Sequence, residues 1–596
     1  MALLRRRLPK VRPTGLRLGP AEVSAGVLLL CLAAGAFAPA VAAAGRDPVP
    51  PVRACAEWEP AFGTLIRWPL GIPGALVAAL AEDDSVYVLV ETANQETSAR
   101  AAFAAYGVDL DHVRFVYALT YSHWTRDWGP LSVFDGDGAW GITDPIFNGY
   151  PWVPGCETEG GSPAPADRRA DARGFYDEDN LVNGVLATVF GCPLHALPAY
   201  CTGGNIMVDG HGAAFSSRQM LQENLPELTE EEFRALAEAY LGIADYHFFD
   251  NPEVHGIQHI DCFAKLLDEE TILVKQVAPD HPEYACVERL ADDLATRTSC
   301  YGRPYRIVRV YCGPYSGTAT AAYTNSLILN RKVLVPLFGI DSDAGALATY
   351  AAAMPGYEVL GFPHGTWYYY DALHCRTMGI FDREMLLLWH RRLDPEVPAQ
   401  PVHEILVRVD DRSEAGLIAD ELRVQWRVAG ETEWRGVPLF ALAAADSFRA
   451  EIPGQAPGTT VEYFVTAADS SGRRESLPRT APAGFYAFTV AADPSGAAEA
   501  NGSTAVTPVL EVGPSPCTDR LWIRARLPAP AALAVDVLDP AGRLVRRLEA
   551  AAPAGPSAML IWDGRDSRGA LCVSGVYWLC ARGAPRAAGR PCIWVR

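Results

Sequence analysis

Three short segments put acids, a histidine and a thiol together in a way that suits chemistry on a cation. Trp124-Thr125-Arg126-Asp127-Trp128-Gly129-Pro130 offers one carboxylate from between two tryptophans and ends on a Gly-Pro turn signal. His259-Ile260-Asp261, read as a strand with a period of two, puts His259 and Asp261 on one face while Ile260 enters the core. His374-Cys375-Arg376-Thr377 follows the aromatic run Trp367-Tyr368-Tyr369-Tyr370 and supplies a thiol. Singly, each has an ordinary reading. These are a surface Arg-Asp pair beside packed rings, a His-Asp pair on a solvated strand, and a cysteine that is a small buried hydrophobe or half of a disulfide.

Taken together they are less ordinary. A nucleophilic thiol must ionise, and a free thiol with a pKa of roughly 8.5 is only a few per cent thiolate at pH 7. Two carboxylates beside it oppose that ionisation, so the set is coherent only when the substrate brings positive charge. A planar guanidinium presents paired N–H donors that carboxylates bind bidentately, and its charge offsets the acids.

The whole chain has the same bias. Its 596 residues carry 51 Lys and Arg against 71 Asp and Glu, a formal charge of −20. Such a surface repels phosphate backbones, which excludes nucleic acid as a partner, and it suits a cationic substrate. Hydrophobic residues at 49% and charged residues at 20% exclude wholesale disorder. The length exceeds one core, and about 150 residues per domain gives an expectation of roughly four domains. Fourteen cysteines point to an oxidising compartment. A basic lead (Arg5, Arg6, Arg7, Lys10, Arg12, Arg17) precedes an uncharged stretch at 23–45 that closes on small residues at 39–44. This reads as a signal peptide over residues 1–44. It gives the expectation of a secreted or cell-surface protein with no stable membrane span once the signal is removed. A membrane anchor is the alternative, because the uncharged stretch could just span a bilayer.

The elements that must position the reactive residues follow from pattern. Residues 55–394 alternate strand-like runs, at 85–90, 272–274, 306–310 and 333–335, with helical stretches. The helix expected at 228–241 is capped by Thr229 with Glu232 three residues on, and Phe233, Leu236, Ala237 and Tyr240 form its stripe. A second helix is expected at 283–298, and a Gly/Pro/Ala-rich loop at 155–166 belongs on the surface. A proline-rich boundary at 395–401 then changes the grammar to short strands without helices, at 421–428, 461–467 and 485–490. That predicts a β-sandwich over 401–490. A Ser/Gly/Ala-rich linker at 491–509 leads to a last β-module at 510–596, with strands at 521–526, 534–538, 559–562 and 575–581. No internal repeat is evident. Nine cysteines fall in the α/β region, none in the sandwich and four in the last module, so full pairing would leave one free thiol in the large region. No C-x-x-C pair supports a structural zinc site.

The segments at 124–130, Thr202-Gly203-Gly204-Asn205-Ile206-Met207-Val208-Asp209-Gly210, Gln258-His259-Ile260-Asp261 and 374–377 occur in this order. Over roughly residues 55–394 the pattern resembles the bacterial peptidylarginine deiminase and agmatine deiminase family, guanidine-modifying enzymes of the pentein superfamily. The resemblance implies an α/β fold, a five-bladed α/β propeller of ββαβ units with the site on its axis, here followed by two all-β immunoglobulin-like modules. It implies that Cys375 attacks the guanidinium carbon while Asp127 and Asp261 grip the nitrogens. His259 would protonate the departing ammonia and then activate the water that hydrolyses the thiouronium intermediate. Asn325 would flank the nucleophile and Trp124 would wall the aliphatic arm of the substrate. No metal and no cofactor enter this chemistry.

The implied substrate is an arginine-containing peptide or protein, converted to citrulline. A small guanidino compound, agmatine, is the alternative, and an inactive surface protein that binds cationic ligands is the non-enzyme alternative. Agmatine deiminases usually carry a glycine run before the His-Cys, where this chain has Tyr370-Asp371-Ala372-Leu373, and an acid before the Gly-Gly, where it has Cys201-Thr202. Both departures lean towards the secreted peptidylarginine branch. Members that grip a C-terminal carboxylate do so with arginines shortly after the Arg-Asp motif, whereas no Lys or Arg occurs here from 131 to 167. The last module resembles immunoglobulin-like modules that serve export or surface attachment, or it is a passive stability module.

Overall fold

The structure is a computed structural model that describes residues 46–150, 155–156, 176–254, 256–491, 509–513, 517, 520–526, 533–540, 542–550, 557–582 and 590–594. The expected signal peptide at 1–44, residues 157–166 of the glycine-rich loop and 492–508 of the linker lie outside them.

One connectivity recurs five times between residues 53 and 381. Each unit has an outer strand antiparallel to a central strand, then at least one helix, then a strand parallel to the central one. Leu131–Phe134, Trp140–Ile146, the helix Val182–Phe190 and Leu194–Tyr200 form one unit. Met207–Val208, Ala213–Ser217, two helices and Asp245–Phe249 form the next. Ala264–Asp268, Thr271–Gln276, the helix Tyr284–Ala295 and Arg306–Tyr311 follow. Leu327–Leu329, Lys332–Leu337, the helix Ser342–Ala353 and Glu358–Pro363 repeat the plan. The remaining unit is assembled from both ends of the region. Ala61–Arg67, Ser85–Val90 and Val113–Tyr117 run parallel, and their antiparallel outer strand, Met378–Phe381, arrives from the far end. This repeat is invisible in the sequence because equivalent strands share apolar character rather than residue identity.

The central strands Thr271–Gln276 and Lys332–Leu337 are buried along nearly their whole length. A strand covered on both faces needs continuous apolar contact rather than alternation. The helix expected at 228–241 spans Glu230–Leu241 and starts with a full capping box between Thr229 and Glu232. It buries Phe233, Ala237 and Leu241, and it stops at Gly242, whose φ of 68° suits a residue without a Cβ.

Beyond Phe381 two sheets pack face to face. One contains Leu386–Trp389, Val402–Asp411, Ser447–Pro453 and Phe440–Ala441; the other contains Arg423–Val428, Thr460–Ala468 and Tyr486–Val490. The proline-rich stretch expected as a boundary is crossed by this sandwich. Leu386–Trp389 lies before the prolines yet pairs with Val402–Asp411 after them, and Glu396–Val397 pairs with Thr489–Val490. The strand's period of two explains its double membership. Leu386 and Leu388 enter the sandwich core, while Leu387 and Trp389 enter the core of the α/β region. Arg479 Nη1 also donates to the Trp58 carbonyl at 3.0 Å, and Thr480 Oγ1 donates to that of Pro355 at 2.7 Å. The last module packs two further sheets around Leu521, Val535, Val537, Trp562 and Leu579.

Cys156 and Cys286 form a disulfide, with Cα atoms 6.3 Å apart. Among the described residues Cys55, Cys192, Cys201, Cys262, Cys300, Cys312 and Cys375 are not in disulfides. Of these, Cys55, Cys201 and Cys312 pack into three different cores as small hydrophobes. Among the described residues no helix is long and apolar enough to cross a membrane.

Candidate active site

The reactive residues occupy the same place in each of the five units: the tight turn just before the outer strand. Thr125–Trp128 is a single helical turn ahead of Leu131–Phe134, and Gly203–Asn205 precedes Met207–Val208. Ile260–Cys262 precedes Ala264–Asp268, and His374–Arg376 precedes Met378–Phe381. The fifth turn, closed by the Asn325 N–H on the Ala322 carbonyl at 3.0 Å, precedes Leu327–Leu329. The strand expected at 259–261 is therefore a 3₁₀ turn with His259 at its N-cap. Asn205 holds it there, because its Oδ1 accepts from the Ile260 N–H at 3.1 Å.

The five turns converge. A methyl group placed on Gly204 would lie 2.5 Å from Asp127 Oδ1, 2.9 Å from His259 Nδ1 and 3.2 Å from Asp261 Oδ2. Glycine is required at that position so that two acids and an imidazole can surround it. Cys375 Sγ lies 3.8 Å from Asp261 Oδ2. Asn325 flanks the thiol: its Nδ2 donates to Cys375 Sγ at 3.2 Å, and its Oδ1 accepts from the backbone N–H groups of His374 and Cys375 at 2.9 and 3.3 Å. Asp127, His259, Asp261, Asn325 and Cys375 are all at most 2% exposed. Trp124 is half-buried at the edge of the cluster, with its ring 5.0 Å from that of Tyr150 and nearly perpendicular to it.

Charge is distributed unevenly over the cluster. Burial, with the nearby Asp261 charge, pushes the Asp127 carboxyl well above the usual range, against the hydrogen bonds from Tyr150 and Gly204. Asp261 is also driven up by burial, but the hydrogen bond and charge of His374 outweigh this and hold it below the ordinary value. Burial lowers His259 to about 4, so its imidazole is neutral at pH 7, and neither ring nitrogen has a hydrogen-bond partner. At Cys375 the hydrogen bond with Cys262 pulls the thiol down, yet burial and the charges of Asp261, Asp127 and Asp371 push it up to about 12. Without a cation in the pocket Cys375 is a thiol.

Several positioning residues escape sequence reasoning. His374 Nδ1 bonds Asp261 Oδ2 at 2.7 Å while its Nε2 bonds Glu57 Oε2 at 2.8 Å. Each ring nitrogen of His374 thus faces a carboxylate. Lys265 Nζ closes the chain on Glu57 Oε1 at 2.8 Å. Glu57 lies 317 residues from His374, and no local signal links them. Tyr150 donates its hydroxyl to Asp127 Oδ2. Arg376 forks onto Asp371 at 2.9 and 2.7 Å and lies over the Trp367 ring, which anchors the turn that carries Cys375.

A sequence model of the Porphyromonas-type peptidyl-arginine deiminases matches residues 53–380. The chain belongs to that family. An agmatine deiminase of Pseudomonas fluorescens is 25% identical over 357 residues, which cover 52% of this chain and 89% of that protein. Among solved structures, the agmatine deiminase of Enterococcus faecalis is 18% identical, with 56% of this chain and 96% of that one covered and a TM-score of 0.46. That of C. jejuni is 17% identical over the same shares, with a TM-score of 0.45. This deiminase thus keeps the five-turn site inside the matched region, and the sandwich and last module lie beyond it.

Proposed function

We propose that this deiminase hydrolyses a guanidinium group to a ureido group and ammonia through a covalent thiouronium on Cys375, and that its substrate carries no carboxylate beside the guanidino arm. The charge of the pocket carries the reading. Asp127, Asp261 and Asp371 surround the thiol, and Arg376, the nearest cation on the same turn, is fully engaged with Asp371, Thr366 and Gly71. A bound guanidinium supplies the missing positive charge, favours the Asp127 carboxylate and lowers the cost of the Cys375 thiolate. The thiol proton passes to neutral His259. The Sγ–C bond forms as the C–N bond breaks, and the imidazolium returns the proton to the leaving nitrogen as ammonia. His259, neutral again, takes one proton from the attacking water and returns it to the thiolate as the C–S bond breaks, and the second water proton leaves the ureido product for solvent, where it converts the ammonia to ammonium.

Agmatine is the substrate favoured first, because the relatives with curated names are agmatine deiminases. The second reading, arginine inside a peptide, is supported by exposed Tyr121 and Tyr368, apolar surface on segments that lead into site turns. We read the five repeated sheets as the blades of a propeller. The N-terminal 44 residues as an export signal and the last module as a surface-attachment element belong to the same proposal. The test is purified protein with agmatine, free arginine, an internal-arginine peptide and a C-terminal-arginine peptide, with ureido product quantified. Agmatine is expected to lead. Preference for either free-carboxylate substrate overturns the reading.

A further inference from the structure

A second thiol faces the nucleophile, and the proposed reaction does not use it. Cys262 sits on the Asp261 turn, fully buried, with its Sγ 3.5 Å from Asp261 Oδ1. Asn325 Nδ2 lies between the two sulfurs, 3.2 Å from Cys375 Sγ and 3.8 Å from Cys262 Sγ. One carboxylate oxygen of Asp261 and the sulfurs of Cys262 and Cys375 all lie within 4.8 Å of one another. Zinc binds thiolate at about 2.3 Å and carboxylate at about 2.0–2.2 Å, so ligand atoms on a tetrahedral ion lie about 3.5–3.8 Å apart. Cys262 Sγ lies 3.5 Å from Asp261 Oδ1 and Cys375 Sγ lies 3.8 Å from Asp261 Oδ2, so the carboxylate presents one oxygen to each sulfur at about that edge.

A second, independent observation points the same way. His259 is fully buried and neither ring nitrogen makes a hydrogen bond; its Nδ1 lies 3.5 Å from Asp127 Oδ1 and borders the Gly204 concavity that Asp261 Oδ2 also faces. Imidazole is an ordinary fourth ligand or neighbour of a zinc-bound water. The pocket also holds more acidic than basic charge, so a divalent cation meets the same electrostatic demand as a guanidinium.

We propose that Asp261, Cys262 and Cys375 form an inhibitory site for a thiophilic divalent cation, zinc, which competes with the guanidinium substrate. On binding, Zn²⁺ replaces the protons of both thiols, which leave as two H⁺, and no electron moves. Affinity therefore rises with pH, and removing the ion with a chelator restores the thiols. The Asn325 amide orients both sulfurs as an outer-shell donor.

The probe is Co²⁺ added to the full chain without substrate, followed by thiolate-to-cobalt charge-transfer absorption in the near ultraviolet and displaced by Zn²⁺. The band is expected in the wild type, and Zn²⁺ affinity is expected to fall by about tenfold or more in both Cys262→Ser and Cys375→Ser. Cys262→Ala replaces the serine variant if the latter melts early. Absence of the band in the wild type overturns the site. So does unchanged affinity in a folded Cys262 variant. Because no substrate is turned over, the result stands apart from whether the deiminase reading holds.

Discussion

The Asp127 turn and the Asp261 turn occupy equivalent places in two of the five sheets, and burial presses both carboxyls towards the neutral form. Their states nevertheless diverge. Asp127 accepts from uncharged donors, the Tyr150 hydroxyl and the Gly204 N–H, and its Oδ1 lies 3.5 Å from His259 Nδ1, so desolvation wins and its carboxyl is raised well above the ordinary range. Asp261 meets His374, itself clamped by Glu57 and Lys265, and stays an anion. The difference shows that repetition of the fold supplies position, while the partner drawn from elsewhere in the chain supplies charge. One carboxyl waits for the substrate's cation; the other already has His374.

The largest effect comes from removing the thiol both acids face. Cys375→Ser is expected to lose turnover by on the order of 10⁴-fold or more, with the fold intact by circular dichroism, because a serine hydroxyl among acids stays neutral. Near-wild-type kcat in this variant would end the covalent reading.

Next come the two acids themselves. Asp261→Asn breaks a buried ion chain and is expected to cost about 3–5 kcal/mol of stability. Asp127→Asn replaces a carboxyl that burial already drives towards the neutral form and is expected to cost about 1 kcal/mol. The pH dependence has opposite signs. Asp127 titrates high in the folded state, so its contribution is full at acid pH and is lost as pH rises through that raised value. Asp261 titrates low, so its contribution is present above the ordinary carboxylate range and is lost as pH falls through the lowered value. Melting curves from pH 2 to 9 read both, and parallel curves for the two variants would erase the comparison.

A smaller effect tests the origin of the asymmetry. Glu57→Gln removes one of the two carboxylates that hold the His374 ring, and so weakens the bond that keeps the Asp261 carboxyl low. The acid limb of kcat/KM should move to higher pH, with a loss of about 1–3 kcal/mol at neutral pH. An unmoved limb would mean that His374 does not set the Asp261 charge. The smallest effect is expected for Tyr150→Phe, which removes one neutral donor from Asp127 at about 1 kcal/mol. It should raise KM more than it lowers kcat, and a loss as large as that of Asp261→Asn would make Tyr150 a member of the charged set.

Much of the site was legible because its residues sit in short motifs: Asp127 between tryptophans, His259 two residues before Asp261, Cys375 after a histidine, and the Gly-Gly of 203–204. The strand reading of 259–261 failed although its pairing of His259 with Asp261 survives. The backbone turns in a 3₁₀ step there, pulled by Asn205 from another unit. The boundary at 395–401 was visible as prolines, yet Leu386–Trp389 had already entered the sandwich, because an apolar strand read in one dimension does not say which core takes which face.

The sequence by itself determined the reactive residue types, their order, the acid excess that demands a cation, and the local elements, because these depend on short-range pattern and composition. Only the tertiary structure decided the fivefold turn that gathers the site, the strand from 378–381 that completes the first sheet, the Cys156–Cys286 pairing, and the chain from Lys265 through Glu57 and His374 to Asp261. Those depend on contacts between residues far apart in the chain and on how deeply each contact is withdrawn from water. Neither distance nor dielectric is written in local order.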